Sequence, residues 1–229
     1  MFSLIIPTYN EKDNIKPLLD AVTDVLKVVD YEILVVDDDS PDGTASEVLN
    51  YHYSNNRVRV IVRKKARGLS SAVIAGFDKA RGDVLGVMDA DLSHDPEILL
   101  ELIKCVQGDY EMAVGTRSSV NGWGLKRKLI SQGACTLARA FLGVSISDPM
   151  SGYFVIRKSV FDRVKDSINP IGYKIMLELY ARAMPLSVAE VPYVFENRAI
   201  GESKLSNKVM KDYLAQLFSL RSSLNKVED

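Results

Sequence analysis

Val84-Leu85-Gly86-Val87-Met88-Asp89-Ala90-Asp91-Leu92-Ser93 decides how this chain is read. The run from Asp83 to Met88 reads as a buried strand, and two carboxylates follow it at i and i+2. Alternate side chains of an extended chain point the same way. Asp89 and Asp91 are therefore expected on one face at the rim of a sheet. Two carboxylates that close repel unless a cation lies between them. Oxygen-only ligands suit a hard ion, Mg²⁺ or Mn²⁺, that completes its shell with water and substrate phosphates. The same residues are ordinary turn chemistry. Alone, the stretch leaves both a metal–diphosphate site and a solvated turn open.

The chain before it favours the site. Residues 2–7 read as a strand ended by Pro7, followed by the loop Thr8-Tyr9-Asn10-Glu11 and a helix to about Val28 with Ile15, Leu18, Leu19, Val22 and Leu26 at helical spacing. Tyr31 to Val36 reads as a second strand that ends in Asp37-Asp38-Asp39-Ser40-Pro41-Asp42-Gly43-Thr44 and a helix. Val58 to Val62 is a third, then Arg63 to Gly68 turns into a helix over 69–80. Strand and helix thus alternate with short connections. This predicts an α/β fold with a mostly parallel central sheet flanked by helices and right-handed crossovers. Ligands of such sheets bind outside the carboxyl ends of the strands. Those ends carry Tyr9, Asn10 and Glu11, then Asp37 to Asp39, then the Arg63–Arg67 turn, then Asp89 and Asp91, and acids gathered at successive ends point to a site.

The rest of the chain continues the pattern. Asp95-Pro96-Glu97 starts a helix to about Val106, with proline and acids in its first turn. Glu111 to Gly115 is a strand leading to Thr116-Arg117, and the glycine- and serine-rich stretch 118–124 reads as a mobile loop. A helix follows over 125–142. Strands are expected at 151–156 and 187–195, helices at 159–166, 172–184 and from 207 to about 220, and a polar loop between 197 and 207.

Composition narrows the function classes. The chain has 229 residues, 47% apolar and 26% charged, with a net charge of −1, so a nucleic-acid footprint is not expected. Two isolated cysteines, Cys105 and Cys135, offer neither a disulfide framework nor a metal spacing, and two histidines are too few for a histidine-built metal site. The amino terminus enters a strand directly and does not read as a signal peptide. No apolar run approaches the roughly 20 residues of a membrane span.

Several motifs together resemble an inverting glycosyltransferase of family 2, whose Rossmann-like nucleotide-diphospho-sugar transferase fold is called GT-A. They are Ile5-Ile6-Pro7-Thr8-Tyr9-Asn10-Glu11, Val35-Val36-Asp37-Asp38-Asp39-Ser40 and Met88-Asp89-Ala90-Asp91. The segments Asp38 to Thr44, Asp89 to His94, Gly122 to Ser131 and Gly201-Glu202-Ser203-Lys204-Leu205 resemble the branch that moves mannose from GDP-mannose to dolichyl (polyprenyl) phosphate. The resemblance covers residues 2 to about 220.

It implies a single catalytic domain, with a nucleotide-sugar half to about residue 117 and an acceptor half over about 118–220. The chain would be either that domain alone or a part that precedes membrane helices. The donor would contact Pro7, Tyr9, Glu11, Val36, Asp37, Asp39, Asp89, Ala90, Asp91, Arg117, Arg198 and Lys204, with Tyr9 stacked on the base. Mg²⁺ or Mn²⁺ would lie on Asp89 and Asp91. Ser93 stands where several members carry glutamine, and it is a weaker ligand, acting through a water. Ile200 falls where some members have a second arginine. The acceptor phosphate would meet Arg117, Arg127 and Ser131, the last two at i and i+4 on one helix face. Arginine suits bidentate phosphate recognition. Asp91, Arg117 and Arg127 would carry the catalysis.

A lipid acceptor implies peripheral placement on a membrane surface, at the cytoplasmic face, and a membrane-anchoring subunit as a further partner. The last helix carries Val209, Met210, Tyr213, Leu214, Leu217, Phe218 and Leu220 among basic residues, which suits either an interfacial helix or core packing. Trp123 beside glycines is a second candidate for lipid contact. Four alternatives stand beside mannosyl transfer: glucosyl transfer from UDP-glucose to the same lipid, another family 2 glycosyltransferase activity, a nucleotidyltransferase, and a non-catalytic sugar-nucleotide-binding subunit. A nucleotidyltransferase needs a glycine-rich basic loop after the first strand, and Pro7 to Glu11 is neither.

Overall fold

The computed structural model describes residues 1–65, 67–122, 124–169, 173–196 and 207–225. Trp123, Arg198, Ile200 and Lys204 lie outside the described residues. Seven strands form one sheet: β1 (Phe2–Thr8), β2 (Tyr31–Asp37), β3 (Val58–Val62), β4 (Val84–Val87), β5 (Met112–Val120), β6 (Phe154–Arg157) and β7 (Val188–Phe195). Their order is β3-β2-β1-β4-β6-β5-β7. β6 runs antiparallel to β4 and β5, and every other pairing is parallel. The expected mostly parallel sheet is present.

Both faces of the sheet are covered, so its strands read as near-continuous apolar runs. Leu4 and Ile6 face one core with Ile15, Leu18 and Leu19 of α1 (Lys12–Leu26). That layer also takes α2 (Thr44–Ser54) and α4 (Leu99–Gln107). Ile5, on the alternate face, joins Val73 and Phe77 of α3 (Leu69–Lys79). α5 (Leu125–Leu142), α6 (Lys158–Val164), α7 (Ile175–Ala183) and α8 (Asn207–Asn225) complete that side.

Gly76 lets α3 close on β1. A Cβ there would stand 2.7 Å from both Cγ1 and Cγ2 of the fully buried Ile5. Overpacking of this kind costs about 1–3 kcal/mol. Gly76→Ala is therefore expected to lower the thermal midpoint by several degrees, at about 2–4 °C per kcal/mol for a chain of this size. An unchanged midpoint in a calorimetric melt would contradict the close packing.

Four expectations are corrected. Pro7 does not end the first strand, which runs on to Thr8. Ile5 and Pro7 direct their backbone groups toward β4, whose ladder with β1 stops at Ile5↔Val87, so no donor is required of the proline. β4 itself ends at Val87, two residues short of Asp89. The stretch 118–120 is strand rather than loop, because β5 extends along β7 through a bulge after Arg117. The helix expected from Asp95 opens as a 3₁₀ turn over Pro96–Ile98 before α4.

Candidate active site

The loops after β1, β2 and β4 each hold one non-glycine residue in the left-handed region: Asn10 (φ 60°), Asp39 (φ 57°) and Leu92 (φ 60°). Such conformations cost about 1–3 kcal/mol each and concentrate at binding sites. With segments from the second half of the chain these loops enclose a cleft of about 590 Å³.

Asp89, Ala90 and Asp91 line it. The Asp89 side chain is 29% exposed, whereas Asp91 is buried. The Asp91 Oδ1 accepts hydrogen bonds from the Ser93 amide at 3.2 Å and the Ser93 hydroxyl. Ser93 is buried and spends its hydroxyl on Asp91. It orients that carboxylate. His94 was missed as a site residue. Its Nδ1 accepts the Asp89 amide at 3.1 Å, which fixes the proton on Nε2. Burial lowers its pKa against the opposing pull of Asp89 and Asp91, so the ring stays neutral. It stacks on Tyr153, just before β6, at 4.8 Å and meets Tyr193 of β7 edge-on, which holds the loop against that side of the sheet.

Pro7, Tyr9 and Glu11 also line the cleft. Asp37 does not: Thr8 donates to its Oδ2 at 2.9 Å, and the Ser40 amide and hydroxyl take up the carboxylate further. The reason is the register Thr8↔Asp37 at the strand ends. Val36 is fully buried in the core and Asp39 is exposed, and neither side chain is among those lining the cleft. Asp38 borders it instead, anchored by Arg63 at 2.7 Å and the Gly68 amide at 2.8 Å. Arg67, from the turn after β3, lies over the Tyr9 ring at 4.9 Å.

The opposite wall carries the cations. Arg117 forms a bidentate pair with Asp148, Nε to Oδ2 at 2.6 Å and Nη2 to Oδ1 at 2.7 Å. Burial opposes both charges, but each partner outweighs it: Arg117 is held above its usual value and Asp148 below. Arg127 and Ser131 line the cleft from one face of α5. Lys174, just before α7, lines it too. Asp148, Lys174 and Tyr193 carried no sequence signal, because they stand far apart in the chain outside any motif.

Apolar residues continue from this wall. Leu125 and Leu129 of α5 are 81% and 67% exposed. On α8, Tyr213, Leu217 and Leu220 are buried while Met210, Leu214 and Phe218 are exposed, so the helix packs on the core by one face and leaves a second one open. Among the described residues no helix is long and apolar enough to cross a membrane.

The donor set fits a hard divalent ion. Asp89 and Asp91 present oxygen only, and His94 has Nδ1 committed to a backbone amide. Among the described residues no group of three His, Cys, Asp or Glu side chains forms a protein cage. An ion here would draw most of its ligands from water and a diphosphate, as Mg²⁺ does.

Residues 3–165 match the family described as Glycosyl transferase family 2. The chain is similar to a dolichol-phosphate mannosyltransferase of Pyrococcus furiosus, 45% identical over 224 residues, which cover 95% of this chain and 63% of that protein. It is also similar to a dolichol-phosphate mannosyltransferase of Saccharomyces cerevisiae, 41% identical over 234 residues, which cover 96% of this chain and 86% of that one. In fold it matches glucosyl-3-phosphoglycerate synthase from Mycobacterium tuberculosis in complex with UDP, at TM-score 0.74 and 18% identity, over 97% of this chain and 80% of that one. The same synthase in complex with Mn²⁺, UDP-glucose and phosphoglyceric acid matches at TM-score 0.73 and 18% identity, again over 97% and 80%.

Proposed function

The chain belongs to glycosyl transferase family 2, and from that premise we propose that it transfers mannose from GDP-mannose to a dolichyl (polyprenyl) phosphate, with inversion at the sugar. The observation that carries this reading is the composition of one cleft. An acid pair, Asp89 and Asp91, and a set of phosphate-binding side chains, Arg117, Arg127 and Ser131, border the same space.

The donor lies along the first wall. Tyr9, with Arg67 over its ring, stacks on the base, and Glu11 and Asp37 take hydrogen bonds from the ribose or base, with Asp38 beside them at the cleft. A divalent cation, Mg²⁺ or Mn²⁺, on Asp89 and Asp91 would act as a Lewis acid toward the departing diphosphate. Ser93 and His94 hold those carboxylates in place. Arg198 and Lys204 would add positive charge at the diphosphate.

The acceptor phosphate lies on the second wall with Arg117, Arg127 and Ser131. Its attacking oxygen is already ionised at neutral pH, so no side chain has to remove a proton. The C1–O bond to the diphosphate breaks as the bond from C1 to the phosphate oxygen forms on the opposite face, and GDP leaves with the electron pair. The open apolar residues of α5 and α8 would meet the lipid and the surface of a membrane, at its cytoplasmic face, with Trp123 as a further contact. A membrane-anchoring subunit would strengthen that attachment.

Calorimetric titration with GDP-mannose and with UDP-glucose, each with Mn²⁺, tests the donor. A transfer assay to polyprenyl phosphate in detergent micelles tests the acceptor. Binding of GDP-mannose and formation of polyprenyl-phosphate mannose are expected. Binding of UDP-glucose alone would replace mannose by glucose. Donor binding without transfer would leave a sugar-nucleotide-binding subunit.

A further inference from the structure

Lys174 stands where a lysine is poorly stabilised by the protein. It is the N-cap residue of the nine-residue α7, at the positive end of a helix, where cations are disfavoured. Burial lowers its pKa, Arg117 lowers it further, and Asp89 and Asp148 pull the other way. Yet no carboxylate among the described residues lies within ion-pair distance of its Nζ, which donates one hydrogen bond, to the Met150 carbonyl at 2.9 Å. An ammonium has three donors. Two remain uncommitted among the described residues, on a side chain that borders the cleft.

A second donor shares this neighbourhood. The Tyr193 hydroxyl is buried and has no hydrogen-bond partner among the described residues. Burial keeps the phenol protonated, and the charges around it are those of Arg117, Asp148, Asp89 and Asp91. Native structures seldom leave buried donors unmatched. Uncommitted donors beside a bidentate-held arginine match the several acceptor oxygens of a phosphate group. The loop facing them is also spare: a Cβ on Gly152 would stand only 3.4 Å from the Asp89 Oδ2, so backbone alone separates this wall from the acid pair.

We propose that Lys174 is a further catalytic residue: its ammonium binds a non-bridging oxygen of the acceptor phosphate beside Arg117 and turns the attacking oxygen toward the sugar. The proposal rests on the transferase reading above and extends its acceptor side. Lys174 comes from the second half of the chain, as Arg127 and Ser131 do, and not from the loops after β1 to β3 that would hold the nucleotide. No proton moves: the phosphate oxygen supplies the electron pair, the C1–O bond to the diphosphate breaks, and the ammonium keeps its hydrogens throughout.

The test compares wild type with Lys174→Met and Lys174→Arg. Three quantities are read: KM for polyprenyl phosphate at saturating GDP-mannose, the calorimetric Kd for GDP-mannose with Mn²⁺, and the thermal midpoint. Loss of a hydrogen bond to a charged group predicts that Lys174→Met raises the lipid-phosphate KM by about 10- to 100-fold. The Kd for GDP-mannose should stay within about threefold, well inside one tenfold step of binding energy. The midpoint should not fall, and Lys174→Arg should recover most of the lost efficiency. Should the methionine variant fold poorly, Lys174→Gln gives the same readouts. An unchanged lipid-phosphate KM overturns the proposal, and so does a GDP-mannose Kd that rises by the same factor. A wild-type enzyme that binds GDP-mannose and passes none to polyprenyl phosphate overturns the transferase reading itself, and this proposal with it.

Discussion

Asp91→Asn removes transfer, by roughly a thousandfold or more in kcat, and leaves the fold standing. The amide keeps the oxygen that accepts from the Ser93 amide and hydroxyl, so the turn around Leu92 is still tied. What is lost is the charge of one of the two carboxylates that would hold the cation at the cleft. Lewis-acid stabilisation of a leaving group is worth several kcal/mol, and each 1.36 kcal/mol is about tenfold in rate. Steady-state assays and a thermal melt read the two effects separately. Normal turnover in a folded variant would contradict the role given to the acid pair. A collapse of the melt would mean that Asp91 is structural first.

Asp148→Ala is expected to be the most destabilising single change near the site. It removes the two hydrogen bonds and the negative charge that Asp148 gives the partly buried Arg117 guanidinium. It also removes the acceptor for the Met150 amide and for the Cys135 thiol. Breaking a buried pair by deleting one partner costs about 3–5 kcal/mol. For a chain of this size that is roughly 6–20 °C in the thermal midpoint. The pH dependence follows from the direction of the shift. The Asp148 carboxyl lies below its usual value, so the pair's contribution is complete above about pH 4 and is lost as pH falls through the lowered value. The gap between wild type and variant should therefore be constant near neutrality and shrink in strong acid. Equal midpoints at neutral pH would show that the pair contributes nothing net.

The order of strands and helices was legible because both layers of the core repeat at the periods that strands and helices impose. Leu4, Ile5 and Ile6 are buried on alternate faces, and α1 buries Ile15, Leu18, Leu19 and Val22. The acid pair was legible for a partly mistaken reason. β4 ends before Asp89, and the turn through Leu92, with Ser93 bonded to Asp91, brings the carboxylates to the cleft instead of strand alternation. The second acidic cluster is more finely divided than its composition suggests. One more strand pair, Thr8↔Asp37, turns Asp37 into a link between β1 and β2 and gives the cleft Asp38. Single-residue register of this sort is set by pairing across the sheet, and local composition does not encode it. Asp148, Lys174 and Tyr193 were invisible for a further reason. They meet Arg117 only because β5, β6 and β7 are adjacent and α7 follows close by, an arrangement of the antiparallel β6 that the βαβ pattern of the first half does not announce.

A crystal of the protein grown with Mn²⁺ and GDP-mannose, with anomalous data at the manganese edge, addresses the core of this account most directly. One manganese peak is expected at the Asp89 and Asp91 carboxylates, with diphosphate oxygens completing its shell and the mannose turned toward Arg117. Donor seated in the cleft with manganese bound away from both carboxylates would contradict it.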